Sequence, residues 1–184
     1  MHPKLREIIA ADNDPEGGAM HEGRFSVLMV CTGNICRSPT ADGVLRKMVA
    51  EAGLDGVVIV DSAGTQSYHV GEAPDHRAQA HAKRRGYDLS PLRARQVAVA
   101  DYTGFDLILA MDASHLRQLE RQAPSQHQSK LKLFLEFATG TREREVPDPY
   151  YGGDDGFEHV LDLVEDGCAG VLAHVRDELA RRGA

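Results

Sequence analysis

Long apolar runs are missing from this 184-residue sequence. No stretch approaches the roughly 20 residues that a membrane-crossing helix needs, and Met1 to Gly23 is polar and acidic, without the apolar centre of a secretory signal. Cysteine is scarce as well: there are three, two of them five positions apart at Cys31 and Cys36, and they do not make a disulfide framework. Both absences point to a cytoplasmic protein with no membrane partner. An excess of positive charge is lacking too. With 21 Lys and Arg against 28 Asp and Glu, the formal net charge is −7, which argues against a nucleic-acid partner because phosphate backbones demand a basic face. The short clusters Lys83-Arg84-Arg85 and Arg93 with Arg95 read as solvated helix ends and loops. None of the nine histidines falls in HxH or HExxH spacing, and His76 and His81, five apart on a predicted helix, match one face poorly, so no metal is expected. Neither a P-loop nor a GxGxxG motif is present, and no cofactor is expected.

What is present has the composition of one folded domain, 42% hydrophobic and 27% charged. Residues 1 to 23 mix Asp, Glu, Gly and Pro around one short apolar patch at Ile8 and Ile9, and read as a disordered N-terminal extension. From residue 24 to residue 184 a single domain follows, in which strand-like runs alternate with helical periodicity. Strands are predicted at Phe25 to Val30, Val57 to Val60, Leu107 to Ala110 and Leu131 to Leu135. Helices are predicted near Thr40 to Ala52, Asp75 to Arg85, Ser114 to Arg121 and Gly156 to Arg182. The first helix spaces Ala41, Val44, Leu45, Met48, Val49 and Ala52 by three and four residues, and the last repeats the pattern from Val160 to Leu179 with Cys168 on its apolar stripe. Cys168 therefore reads as a packing residue. Short buried strands joined by helices imply an α/β fold: a doubly wound, mainly parallel sheet that binds ligands beyond the carboxyl ends of its strands.

At one such end lies Cys31-Thr32-Gly33-Asn34-Ile35-Cys36-Arg37-Ser38, leading into Pro39 and the first helix. A loop from a strand's end to a helix's start turns successive backbone N–H groups inward, and the helix N-terminus adds partial positive charge, so the loop suits an oxyanion. Gly33 permits close backbone approach and Asn34 tolerates left-handed geometry. Arg37 offers a planar, permanently charged fork that can grip two oxygens of a phosphoryl group. The same field favours Cys31 as a thiolate nucleophile. Ser38 is a candidate N-cap, with Pro39 at the first helical position and Asp42 complementing the helix dipole. Farther along, Asp148 stands between Pro147 and Pro149 on a stiffened loop; read alone it suits a turn aspartate at least as well as a general acid. Tyr150, Tyr151 and Tyr68 could line a pocket mouth or be ordinary half-buried residues.

The segment Val30 to Pro39 resembles the signature loop of the low-molecular-weight protein tyrosine phosphatases, and further blocks resemble that family in its order. They are Asp61-Ser62-Ala63-Gly64-Thr65, Arg95-Gln96, Phe105 to Asp112, and Pro147-Asp148-Pro149-Tyr150-Tyr151-Gly152, so that the resemblance covers about residues 25 to 180. It implies a four-stranded Rossmann-like sheet with helices on both faces, the phosphatase I fold. It also implies hydrolysis of phosphotyrosine in two displacements: Cys31 forms a phosphocysteine, Arg37 binds the phosphoryl oxygens, and Asp148 serves as general acid and then base. By the same resemblance Thr32, Gly33, Asn34, Ile35, Cys36 and Ser38 bind phosphate, Ser38 donates a hydrogen bond to the nucleophile, and Ser62 supports the loop through Asn34. Tyr68, Tyr150 and Tyr151 wall the substrate pocket, and Cys36 can form a reversible disulfide with Cys31. The implied partner is a phosphotyrosyl protein, with an autophosphorylated kinase of a bacterial type as a candidate, and phosphate and other oxyanions are competitive ligands. Asp42 departs from a Glu found in many members, and Pro91 and Leu92 stand where some carry a His. Two other readings compete: an arsenate reductase on the same scaffold, which would need two further cysteines on a mobile segment, and a non-catalytic phosphotyrosine-binding module, which would need neither Cys31 nor Asp148.

Overall fold

A computed structural model describes residues 23–183; residues 1 to 22 of the expected extension lie outside the described residues. The strands β1 (Phe25–Cys31), β2 (Val58–Gly64), β3 (Leu107–Ala110) and β4 (Leu131–Leu133) form one sheet in the order β2-β1-β3-β4, every pair parallel. Among the described residues five α-helices accompany them: α1 (Arg37–Glu51), α2 (His76–Arg84), α3 (Val99–Gly104), α4 (Ala113–Gln122) and α5 (Asp154–Arg182). A parallel sheet covered on both faces needs strands that are apolar in both directions. In β1, Phe25, Val27, Met29 and Cys31 face the core under α1 and α5, while Leu28 and Val30 face a second core with Tyr102 of α3 and Leu119 of α4. The fold is therefore the doubly wound α/β sheet with helices on both faces that the sequence implies.

The central strand β1 has β2 on one side and β3 on the other, so the chain reverses its winding direction at the end of β1. Side chains and loops at that reversal point are left uncovered beyond the carboxyl ends, and Cys31 is the last residue of β1. Several boundaries differ from expectation. Helix α1 begins at Arg37, three residues earlier than predicted, so Pro39 is its third residue instead of its first. That position is still tolerated because the first-turn N–H groups have no intrahelical acceptor. The residue before the helix is Cys36, without a side-chain cap, so Ser38 is not the N-cap. Strand β2 runs on to Gly64 because Asp61 to Gly64 pair with Leu28 to Cys31, a tertiary pairing that overrides the low strand propensity of Asp, Ser and Gly. Helix α3 is too short for its periodicity to register, and the predicted strand to Leu135 stops at Leu133, where Phe134–Phe137 winds into a 3-10 turn.

Helix α5 buries Val160, Leu161, Val164, Cys168, Val171 and Val175, as its periodicity predicts. It also places two glycines against the 3-10 turn. A Cβ on Gly167 would lie 2.5 Å from the Phe134 ring, and one on Gly170 only 1.8 Å from the Phe137 carbonyl oxygen. In an open helix, Gly to Ala stabilises by about 1 kcal/mol. Here the backbone carbonyl cannot yield as a side-chain tip would, so Gly170→Ala is expected to destabilise by about 2 kcal/mol. Urea unfolding of the purified variant reads the sign directly, and a gain in stability would contradict this packing.

Candidate active site

The loop after β1 is shaped by hydrogen bonds from three neighbouring segments. Thr65 N–H donates to the Cys31 carbonyl at 2.8 Å, Gln66 N–H to the Thr32 carbonyl at 3.0 Å, and Asp75 N–H to the Ile35 carbonyl at 2.8 Å. Gly64 allows this approach, since a Cβ there would sit 2.6 Å from the Thr32 carbonyl oxygen. Asn34 turns the chain with φ +58°, the one positive φ outside glycine among the described residues, as its position in the loop predicts. Its side chain is fully used: Oδ1 accepts the Arg95 N–H at 3.0 Å and Nδ2 donates to Ser38 Oγ at 2.9 Å. Ser38 Oγ in turn lies 3.0 Å from Cys31 Sγ. Because Asn34 already donates to that oxygen, the Ser38 proton is free for an acceptor. The sulfur is nearer than the alternative Ala63 carbonyl at 3.5 Å, a distance at the limit for a hydroxyl donor.

Arg37 is 5% exposed, and its guanidinium is held from several sides. Nη1 donates to Asp112 Oδ2 at 2.7 Å and to the Val146 carbonyl at 3.1 Å, and Nη2 reaches Asp148 Oδ2 at 3.4 Å. Asp112 caps α4, accepting the backbone N–H groups of Ser114 and His115. Burial works against its charged form, but the Ser114 hydroxyl, His115 and Arg37 outweigh it, and the carboxyl is held below the usual carboxylate range. The Asp148 side chain is 49% exposed, with Oδ1 accepting the Tyr150 N–H at 3.1 Å in an Asx turn. Asp148 thus makes the turn that its place between two prolines suits, and its other oxygen lies toward Arg37 in the cavity. Cys36 is buried, and burial, with Asp75, Cys31 and Asp148 nearby, pushes its thiol up to about 12.

A cavity opens over the loop, lined at its base by Cys31, Cys36 and Arg37 and at its mouth by Tyr68, Asp148, Tyr150 and Tyr151. His69 also lines it, closing over Gly33, where a Cβ would lie 2.9 Å from the imidazole. Tyr150 and Tyr151 pack edge to face at 5.0 Å between centroids, and Tyr151 is 93% exposed. The three tyrosines, Cys31, Arg37 and Asp148 are therefore brought to one cavity. Ser62 makes no hydrogen bond to Asn34. Its hydroxyl donates to Asp42 Oδ2 at 2.9 Å, because the buried Asp42 carboxylate beneath the loop needs donors and takes Ser62 and Arg46. Asp42 thus anchors α1 to β2 instead of complementing the helix dipole. In the region of Pro91 and Leu92, support for the loop comes from Arg95, whose N–H holds Asn34 and whose side chain reaches Asp101 at 2.9 Å and Asp61 at 3.1 Å.

Two residues that the sequence leaves without a role, Asp112 and His115, belong to the site. Asp112 carries a signal in hindsight, an acidic residue between a strand and a helix, but nothing in the sequence connects it to Arg37.

Residues 26–181 match the family model of the low molecular weight phosphotyrosine protein phosphatases. The low molecular weight protein-tyrosine-phosphatase of Streptomyces coelicolor is 45% identical over 163 residues, 87% of this chain and 99% of that protein. The crystal structure of a protein tyrosine phosphatase from Entamoeba histolytica with Hepes in the active site is similar at a TM-score of 0.82 and 40% identity, over 84% of this chain and 98% of that one. Wzb of Vibrio vulnificus in complex with benzylphosphonate is similar at a TM-score of 0.71 and 29% identity, over 82% of this chain and 98% of that one.

Burial depresses the His115 imidazole from 6.5 to about 4, against the attraction of Asp112. Between those values the unfolded chain binds a proton that the folded chain refuses. The stability from burying a neutral ring is therefore fully present above pH 6.5 and lost as pH falls toward 4, by at most about 3 kcal/mol. Urea unfolding at pH 7 and pH 4.5 is expected to give a smaller difference for His115→Gln than for the parent, and an equal difference would contradict the burial of a neutral imidazole.

Proposed function

The chain is a member of the low molecular weight phosphotyrosine protein phosphatase family, an enzyme family, and from that premise we propose that it hydrolyses phosphotyrosine through a phosphocysteine on Cys31. The observation that carries this reading is the meeting of three groups in one cavity: a sulfur hydrogen-bonded to Ser38, the Arg37 fork, and the Asp148 carboxyl across from them. In the first step the Cys31 thiolate attacks phosphorus in line, forming the S–P bond as the P–O bond to the aryl group breaks. The departing phenolate takes the proton of Asp148. In the second, Asp148 as carboxylate removes a proton from water, whose oxygen displaces the sulfur and releases inorganic phosphate. Arg37 and the loop N–H groups hold the equatorial oxygens through both steps, so the acceleration is chiefly electrostatic and positional. Ser38 eases the return of negative charge to sulfur in the second displacement.

The tyrosines at the mouth supply walls for a phenyl ring, and a phosphate bound at the cavity's base favours a long aryl side chain over phosphoserine. Tetrahedral anions fit the same base: Hepes, which bears a sulfonate, occupies the active site of the Entamoeba relative, and Wzb binds benzylphosphonate. Phosphate and related oxyanions should therefore compete with substrate. The partner is a phosphotyrosyl protein, with an autophosphorylated tyrosine kinase as the proposed class. Cys36 is proposed to capture oxidised Cys31: attack on a Cys31 sulfenic acid forms the disulfide and expels water, protecting the nucleophile from further oxidation. A reactive thiolate suits a reducing compartment, which favours the cytoplasm; among the described residues no helix is long and apolar enough to cross a membrane. Arsenate reduction is disfavoured because Cys168 is wholly buried in α5, where its Sγ–H faces the Ala41 carbonyl at 3.5 Å, and is not poised to resolve an adduct.

Purified protein is expected to release nitrophenolate from p-nitrophenyl phosphate, and Cys31→Ser to abolish turnover while still binding phosphate. Asp148→Ala should slow aryl phosphates with poor leaving groups by about 10²-fold or more, and those with good leaving groups much less. Equal slowing across the series would remove Asp148 from the acid role.

A further inference from the structure

The phosphate loop has one more partner, on a helix the mechanism does not otherwise use. His115 of α4 is 2% exposed, and its Nε2 lies 2.8 Å from the hydroxyl oxygen of Thr32, the residue that follows the nucleophile. Its Nδ1 lies 3.2 Å from Asp112 Oδ1, yet no hydrogen bond to it is well aligned, and among the described residues it is the sole buried side-chain nitrogen or oxygen in that state. The other Asp112 oxygen holds Arg37 at 2.7 Å. A chain of four side chains, Thr32, His115, Asp112 and Arg37, thus joins the two ends of the anion loop from outside it.

We propose that His115 is a positioning residue for the phosphatase reaction: a neutral imidazole, protonated on Nδ1, that accepts the Thr32 hydroxyl proton and keeps the start of the loop in register with the Arg37 fork. The inference rests on the phosphatase reading for its kinetic consequence but on geometry alone for its tautomer. The tautomer follows from the surroundings. A proton on Nε2 alone would aim the Nδ1 lone pair at the Asp112 carboxylate, lone pair against anion, and leave no favourable contact between them. A doubly protonated ring would be buried with Arg37 nearby, and burial opposes it even though Asp112, Asp148 and Glu145 favour it. Of the two neutral forms, only Nδ1–H turns the positive end of an N–H bond, instead of a lone pair, toward the Asp112 carboxylate 3.2 Å away while leaving Nε2 to accept from Thr32. Arg37 is then fixed through Asp112 while Thr32, with its backbone N–H, is fixed through Nε2. A phosphoryl group spanning the loop meets both ends already spaced for it, which is the preorganisation that a charge-stabilising site requires.

Two measurements on the full chain test this. In ¹⁵N-labelled protein at pH 7, without ligand, the His115 ring is expected to show a proton on Nδ1 and a pyridine-like Nε2; the opposite tautomer or an imidazolium overturns the proposal whatever the enzyme's activity. In kinetics, Thr32→Val and His115→Leu are each expected to lower kcat/KM for p-nitrophenyl phosphate and to weaken inhibition by phosphate, each by about tenfold. The double variant should fall no further than either single one. His115→Gln, whose amide can reach Thr32, should recover most of the loss. Losses that multiply in the double variant, or a lower melting temperature with unchanged kinetic constants, would make His115 a packing residue only. Thr32→Val carries the kinetic test even if His115→Leu fails to fold. An inactive parent would count against the phosphatase reading instead, and the tautomer would still be decided by the spectrum.

Discussion

A permanently charged guanidinium buried at the start of a helix is the constraint around which this molecule is arranged. Removing Arg37 from water costs several kcal/mol unless anions and hydrogen-bond acceptors replace the solvent. The first turn of α1 makes matters worse, because the helix N-terminus is itself positive. By the rules of local stability an arginine is misplaced there. Three groups supply the compensation: Asp112 at the cap of α4, the Val146 carbonyl, and Asp148 between its two prolines. Asp112 and the Val146 carbonyl lie at 2.7 and 3.1 Å, whereas half-exposed Asp148 stands at 3.4 Å, and the proposed function has a phosphoryl dianion take its place on Nη2. On the proposed function, the unfavourable juxtaposition of cation and helix dipole is what would draw an oxyanion to the bowl, a local rule broken where that function needs it.

The sulfur depends on the same architecture by a separate route. Cys31 reaches the bowl because it ends the central strand at the point where the winding reverses, and its side chain follows the period-2 alternation that places Val27 and Met29 under α1. Ser38 comes back to it from the first turn of the helix, held by the amide of Asn34, which is held in turn by the Arg95 backbone. Arg95 is tied to Asp61 and Asp101, and Asp42 with Ser62 and Arg46 joins the helix to β2. Buried polar groups of this kind specify geometry only when every member is satisfied. Here the loop's shape is distributed over β2, α3 and the segment before it, which is why a thiol at the end of β1 and a guanidinium at the start of α1 can stay fixed across the irregular loop between them.

Much of this was legible from the residues. The buried faces of α1 and α5 follow from periodicity, strand β3 from its apolar run, and the anion loop from a strand, a glycine, an asparagine in its left-handed place and an arginine before a helix. What the sequence hides falls into two kinds. Boundaries moved where long-range pairing overrode local preference: Ser38 has the chemistry of a cap but is drawn inward to the sulfur, and Asp61 to Gly64 become a strand because β1 lies beside them. Partners were missed where contact is made across 70 or more residues, as between Arg37 and Asp112 or Thr32 and His115. Ser62 shows both at once: it lies in the extended part of β2 and bonds Asp42 instead of Asn34, since a buried carboxylate from α1 competes more strongly for its proton than an amide oxygen already occupied by Arg95.

The most direct measurement is a crystal structure of the protein soaked in vanadate. A vanadium–sulfur bond to Cys31, two equatorial oxygens on the Arg37 fork with its Asp112 contact retained, and the Asp148 carboxyl displaced to the apical oxygen opposite sulfur are the expected result. Vanadate bound elsewhere, or in the bowl without Arg37, would contradict the claim that one preorganised cation and one sulfur make this site.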